Sequence, residues 1–286
     1  MRRSEAFTLI ELLVVISIIA LLMAILMPAL AKAKNQAQEM ACKGNLKNYC
    51  LGLTMYLDEW DGKFPMPKKC YFTQYQAYPV ESGVSDAIHL RWCNDDINLR
   101  NHPEYASAFF RYLANAKALI CPTFKGLTVR NSDDQFFRAT GATVRHYKPW
   151  YNYTMNAYLG SEDSDGVTKV RVLKITEVKR PSTIFSFVEE SSLVDTAYNQ
   201  SGLNDTFMVP GSEAMVQTWL SQTGNDPDRV IPGPEGVGAF YDVVGGFHNA
   251  SAANLFSGKG NCAILDGHVE AFTRAETFPH AYPRSR

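Results

Sequence analysis

The chain lacks a charge of either sign to spare. Its 28 Lys and Arg meet 29 Asp and Glu, for a formal net charge of −1. A surface built to bind nucleic acid needs a basic excess to neutralise phosphates, so no nucleic-acid partner is expected. No pair among Cys42, Cys50, Cys70, Cys93, Cys121 and Cys262 is spaced Cys-x-x-Cys, which argues against zinc ribbons and thioredoxin-like sites. There is no Gly-x-Ser-x-Gly elbow for a nucleophilic serine and no Gly-x-x-x-x-Gly-Lys loop for a nucleotide phosphate. His-Glu-x-x-His is also missing. No internal repeat or heptad array is evident. After the first thirty residues, no apolar run is long enough to cross a membrane.

What is present is concentrated at the start. Arg2 and Arg3 lie in a six-residue leader, and an apolar stretch then runs from Phe7 to Leu30. As a helix, its roughly 24 residues reach about 36 Å, enough to span a bilayer. The arginines would stay on the cytoplasmic side, leaving the rest of the chain outside. One acid, Glu11, interrupts the stretch. A carboxylate near the bilayer centre costs about 2.5–3.5 kcal/mol on insertion scales. A plain anchor has no use for it, so Glu11 points to a helix that leaves the bilayer for an assembly. An ordinary secretory signal could be cut at Ala29-Leu30-Ala31, but its apolar core would be shorter and would not hold an acid.

The helix is expected to continue from Ala29 to Leu57. Leu46, Tyr49, Cys50, Leu53, Tyr56 and Leu57 recur at helical spacing, so one face should pack on a domain. Pro28 should kink the helix, and Gly44 and Gly52 suit close packing against a sheet. Asp58 to Gly62 reads as the exit loop. The segments are then a leader at 1–6, a membrane helix at 7–30, its amphipathic extension at 31–57, and an extracytoplasmic head at 58–286. About 230 residues after the membrane helix suffice for one sizeable core. The 14 Tyr and 16 Phe suit a β-containing head.

The fold class is α+β, a long N-terminal helix whose second half packs against a head with an antiparallel sheet. Glu104–Lys117 reads as a helix after Pro103, and Ala118–Pro122 as a buried strand stopped by proline. Tyr147–Leu159 reads as a strand or an irregular packed segment. Lys169–Ile175 alternates like a strand, and Ile184–Val188 reads as the central one. Residues 221–238 form a loop. Asp266-Gly267 between two apolar runs predicts a hairpin, with both turn residues at positive φ. Cys42 and Cys50 would lie about 12 Å apart on one helix, too far to bond to each other. Each can instead tie the helix to Cys70, Cys93 or Cys121. The alternative is six buried thiols.

Ala6-Phe7-Thr8-Leu9-Ile10-Glu11, followed by Leu12 to Ile16, resembles the class III signal of type IV pilins and type II secretion pseudopilins. The family usually has Gly where this chain has Ala6. The resemblance implies that a prepilin peptidase cuts between Ala6 and Phe7 and methylates the new amino terminus. It implies that Glu11 pairs with the amino terminus of a neighbouring subunit. The implied partners are other pilin or pseudopilin subunits, the peptidase, the inner-membrane assembly platform, and membrane lipid before assembly. The implied location is the bacterial inner membrane, single-pass with the head outside, and then the filament. The tail is similar to a module of large pilin-like proteins with a His, nine residues, and Asp-Gly followed by His-Val. Here His248 is followed by 17 residues, then Asp266, Gly267 and His268. Cys42 with Asn45-Leu46-Lys47, Ile120-Cys121-Pro122, Tyr151-Asn152-Tyr153 with Asn156, and Arg180-Pro181-Ser182 fit the same group.

Other chemistries are weaker. His248, Asp266 and His268 could be metal ligands, but the turn already accounts for Asp266, so the motif is expected to be structural. Glu189-Glu190 could be acid–base carboxylates, or simply a strand edge. No cofactor is expected. Calcium is the one candidate ion, at Asp163 and Asp165 in the Glu162–Gly166 cluster or near Asn225, Asp226 and Asp228; neither matches the twelve-residue calcium loop. The resemblance adds to that candidate, because some pseudopilins fix C-terminal loops with calcium. The chain is therefore read as a structural subunit and not an enzyme. The alternatives are a pilin-anchored binding head for glycans or surfaces and, less favoured, an anchored metal-dependent enzyme.

Overall fold

A computed structural model describes residues 9–65, 112–113, 116–131, 152–160, 172–190, 207–208, 214, 217–218, 221, 244–250 and 257–283. Helix α1 runs unbroken from Leu9 to Glu59, 51 residues, through Pro28. Its two halves meet different surroundings. From Leu9 to Leu30 the large apolar side chains are exposed. From Cys42 onward, Cys42, Leu46, Tyr49, Cys50 and Leu53 are buried along one stripe, with Tyr56 and Leu57 partly covered. That is the expected helical period, and it faces the sheet. The helix ends where Asp61 and Gly62 take positive φ, 52° and 72°. There the Gly62 N–H reaches back to the Leu57 carbonyl at 2.7 Å and closes the last turn.

The described strands are β1 (Tyr153–Asn156), β2 (Phe185–Glu189), β3 (Phe207–Met208), β4 (Gly260–Ile264) and β5 (Val269–Phe272). They order as β3-β1-β2-β4-β5, with β2 in the middle. β1, β2, β4 and β5 pair antiparallel; the two-residue β3 adds a parallel edge. β2 is buried at all five residues because both sheet faces are covered. Tyr153, Met155, Phe187 and Ala263 join the stripe of α1 in one core. The Tyr49 ring lies 4.9 Å from that of Phe187 edge-on, and 5.3 Å from that of Tyr153. Phe185, Val188, Cys262 and Ile264 form the other face, under Tyr158, Val244 and Tyr282. Asn156 fastens the tail, donating from Nδ2 to the carbonyls of Phe185 (3.0 Å) and Ala281 (2.9 Å).

Several expectations change. Ala118–Cys121 is buried but is not a strand. A 3-10 turn covers Ala116–Leu119, and Pro122 opens helix α2 (Pro122–Asn131), where a missing N–H costs nothing. Asn152 takes the backbone groups a ladder would have used: its Oδ1 accepts from Cys121 N at 2.7 Å, and its N donates to Leu119 O at 3.1 Å. In Lys169–Ile175, the described part makes only single bridges at Val172 and Lys174 before a 3-10 turn at Ile175. Glu177 Oε1 accepts from the Leu173 and Lys174 N–H groups and bends the chain there. Gly44 is exposed, and a Cβ on it would meet nothing within 4 Å, so sheet packing does not explain it. Nearly all of Glu104–Lys117 and of residues 221–238 lies outside the described residues.

The hairpin is at the expected place with a different turn. Only Gly267 has positive φ (95°) in its loop. Gly267 N donates to Ile264 O at 2.9 Å, and Ile264 N to His268 O at 2.8 Å. This is a three-residue loop, a tight turn through Leu265 and Asp266 followed by a left-handed glycine. The short helix α3 (Arg274–Thr277) follows, with Thr273 and Glu276 capping it reciprocally.

Phe187→Ala should remove about 3–5 kcal/mol of stability, because it empties the contact between α1 and the central strand. Gly44→Ala should add about 0.5–1 kcal/mol by restricting the unfolded chain at an open helical site. Denaturant unfolding of the full chain in detergent measures both.

Candidate functional site

Three places carry the residues of interest. The first is the start of α1. Ala6 and Phe7 lie outside the described residues; Glu11 sits in the first helical turn, within the exposed apolar half.

The second is the tail hairpin. Asp266 Oδ1 holds the His268 N–H at 3.1 Å and its ring Nδ1 at 2.5 Å. Lys47 Nζ of α1 donates to the Gly267 carbonyl at 2.5 Å. Partial burial raises the Asp266 pKa, but the two His268 bonds and the nearby Lys47 charge outweigh it, so the carboxyl is held below its ordinary 3.8. Every one of these contacts shapes the turn or docks it on the helix.

The third lies under the sheet, where the helix, the sheet and a loop meet. Cys42 of α1 is disulfide-bonded to Cys121, just before α2, with Cα atoms 5.1 Å apart. Cys50 is not bonded: its thiol points at the Ile264 carbonyl (3.7 Å), and burial pushes its pKa up to about 11. Cys262 is also a buried thiol, pushed up by burial and then by the charge of Glu189. Neither is suited to act as a thiolate. Cys70 and Cys93 lie outside the described residues, as do Asp163 and Asp165.

Beside the disulfide is a buried Glu–His pair. Glu189 ends the central strand with its side chain turned toward α1, fully buried, and His248 is 2% exposed. His248 Nε2 lies 3.0 Å from one Glu189 oxygen and 2.9 Å from the other. It is also 3.5 Å from Cys121 Sγ. The Asn261 N–H donates to Glu189 Oε2 at 2.8 Å. A buried polar side chain is costly unless it is hydrogen-bonded, and these contacts supply the partners. The loop holding His248 is fixed from two sides. His248 and Lys259 exchange backbone hydrogen bonds at 3.0 and 2.9 Å, an approach so close that a Cβ at Gly258 would lie 2.1 Å from the His248 carbonyl. Asn249, at φ 58°, donates from Nδ2 to Glu39 of α1 at 3.0 Å, and Glu39 pairs with Lys43 at 2.9 Å.

The structure thus separates the tail residues that the sequence places in one motif. Asp266 and His268 stay together at the surface, while His248 joins Glu189 and Cys121 in the core. Among the described residues, Cys42, Cys121, Glu189 and His248 are the set whose ligating atoms gather within 4.8 Å; Asp266 and His268 are not in it. Glu189 is 59 residues from His248, and Cys121 is 127 from it, so no local spacing announces the group. The available signal was an acid closing a strand with three large apolar residues, Phe185-Ser186-Phe187-Val188-Glu189.

The family model of the prokaryotic N-terminal methylation motif matches residues 1–27. This motif, at the head of a long apolar helix, fits a type IV pilin-like protein, made as a prepilin-type substrate. It points to a structural protein and implies a prepilin peptidase and other pilin subunits as partners. No curated protein and no solved structure is a significant match to the chain.

Two predictions arise from these contacts. The Cys42–Cys121 bond spans 79 residues, so replacing both cysteines by serine should cost about 2–5 kcal/mol in unfolding measurements. The carboxyls of Glu39, Asp266 and Glu276 are all held below their ordinary values. For Glu39, burial acts upward but is outweighed by the Lys43 and Asn249 bonds; for Glu276, the Thr273 N–H is the main cause. The unfolded chain therefore binds more protons than the folded one once pH falls below about 4.5, the ordinary value for Glu. Stability supplied by these groups should be full above that pH and be lost as pH drops through their lowered folded values. Thermal melting against pH measures this, and Glu276→Gln should flatten the slope.

Proposed function

We propose that this chain is a structural subunit of a type IV pilus or a type II secretion pseudopilus. The observation that carries the proposal is the division of α1. One continuous helix has an exposed apolar half beginning in register with the methylation motif, and a second half built into the core of the head. In this reading residues 1–6 are a leader, removed by prepilin peptidase between Ala6 and Phe7, and Phe7 is then N-methylated. Residues 7–30 anchor the subunit in the inner membrane, with Arg2 and Arg3 cytoplasmic before cleavage. Residues 31–57 carry the stem into the head, 58–286.

Assembly then replaces lipid around Phe7–Leu30 with neighbouring apolar helices. Apolar contacts alone leave the axial position of each helix poorly defined. Glu11 supplies the register: it pairs with the charged amino terminus of Phe7 on an adjacent subunit. In a low-dielectric filament core each charge would be costly alone, so subunits misplaced along the axis are disfavoured. Glu11→Gln should insert in the membrane and be processed as wild type but enter filaments poorly. Quantitative blotting of sheared filaments against the membrane pool reads this, and wild-type incorporation of the variant would contradict the mechanism.

A further inference from the structure

The buried group beside α1 holds more chemistry than a disulfide needs. A disulfide is neutral and asks for no charged neighbour. Yet Cys42 and Cys121 share a buried site with the Glu189 carboxyl group and the His248 imidazole, and all four ligating atoms lie within 4.8 Å of one another. Two sulfurs, one imidazole nitrogen and one carboxylate oxygen are a donor set for a tetrahedral zinc centre. The supporting bonds suit that use. The Asn261 N–H fixes Glu189 Oε2 at 2.8 Å, and both Glu189 oxygens face His248 Nε2, at 3.0 and 2.9 Å. The paired backbones of His248 and Lys259 fix the segment that carries the ring. Such outer contacts orient the ligands of metal sites.

We propose that the dithiol form of this chain binds one zinc-class divalent cation through Cys42 Sγ, Cys121 Sγ, Glu189 and His248 Nε2, and that closing the disulfide expels it. Cysteines enter a chain as thiols, so this form precedes the disulfide. Binding converts both S–H groups to thiolates and releases two protons. A disulfide-type oxidant then takes two electrons from the two thiolates. The Cys42–Cys121 bond forms, the oxidant's S–S bond breaks and takes up two protons to give two thiols, and the cation leaves. Glu189 is left with His248 as its partner, the arrangement seen here. The cation would hold together the four segments that the disulfide and the Glu189–His248 contact later hold: α1, the start of α2, the central strand and the 248 loop.

Cobalt(II) tests this in the full chain in detergent, reduced with a phosphine and desalted under anaerobic conditions. The reduced wild type should develop the visible bands of tetrahedral, thiolate-bound cobalt, saturating at a single equivalent and bleached by zinc. The disulfide form should give none. The Cys42→Ser/Cys121→Ser double variant should lose the bands, whereas Cys50→Ser/Cys262→Ser and Cys70→Ser/Cys93→Ser should keep them. The wild-type comparison of reduced and oxidised chains needs no variant to fold. Reduced wild type without the bands overturns the proposal, as does a spectrum that survives loss of Cys42 and Cys121 or is unchanged in the disulfide form.

Discussion

One contact surface organises this molecule: the stripe of α1 from Cys42 to Leu53 laid against β1, β2 and β4. A helix of 51 residues has little reason to persist on its own in water unless something holds it. Tyr49 does so at the centre, its ring against Phe187 and Tyr153. Cys42 adds a covalent tie at one end of the stripe, and Glu39, Lys43 and Lys47 dock the 249 and 267 loops along it. The helix in turn covers one face of the sheet, together with Leu119 to Phe124 and Phe247. Without this seam the apolar half, Leu9 to Leu30, would be a tail with no fixed direction. With it, that half projects from the head as a rod.

The rod and the seam obey different solvents. The seam alternates buried and exposed positions because one side meets water. The rod is apolar all round, which suits lipid or a packed bundle of its own kind and not bulk water. Glu11 is the one acid within it. The methylation motif, matched over residues 1–27, runs through most of it. Fold and motif therefore fit one another: an apolar helix that carries the methylation motif, joined to a packed head.

Much of this could be read from residue order. The stem and its stripe showed because a helical period is repeated over many residues. The central strand showed because Ile184 to Val188 is compact, apolar and aromatic. Asp266-Gly267 marked its turn, although only Gly267 needed positive φ, since Asp266 occupies a position open to any L-residue. Ala118 to Cys121 misled because an apolar run looks the same in a buried strand and a buried turn. Asn152, 31 residues away from Cys121, decided between them. The grouping of Glu189 and His248 with Cys121 was hidden for the same reason: its members meet only in the folded chain. The tail motif grouped His248 with Asp266 by distance along the sequence, while the core claimed the histidine and left the aspartate to the turn.

The account stands on processing at the head of α1. Mass spectrometry of the mature amino terminus, from cells with and without a prepilin peptidase, tests that most directly. The account predicts a chain that begins at N-methylated Phe7 only when the peptidase is present. A chain that keeps Met1, or begins at Lys32, with the peptidase present would contradict it.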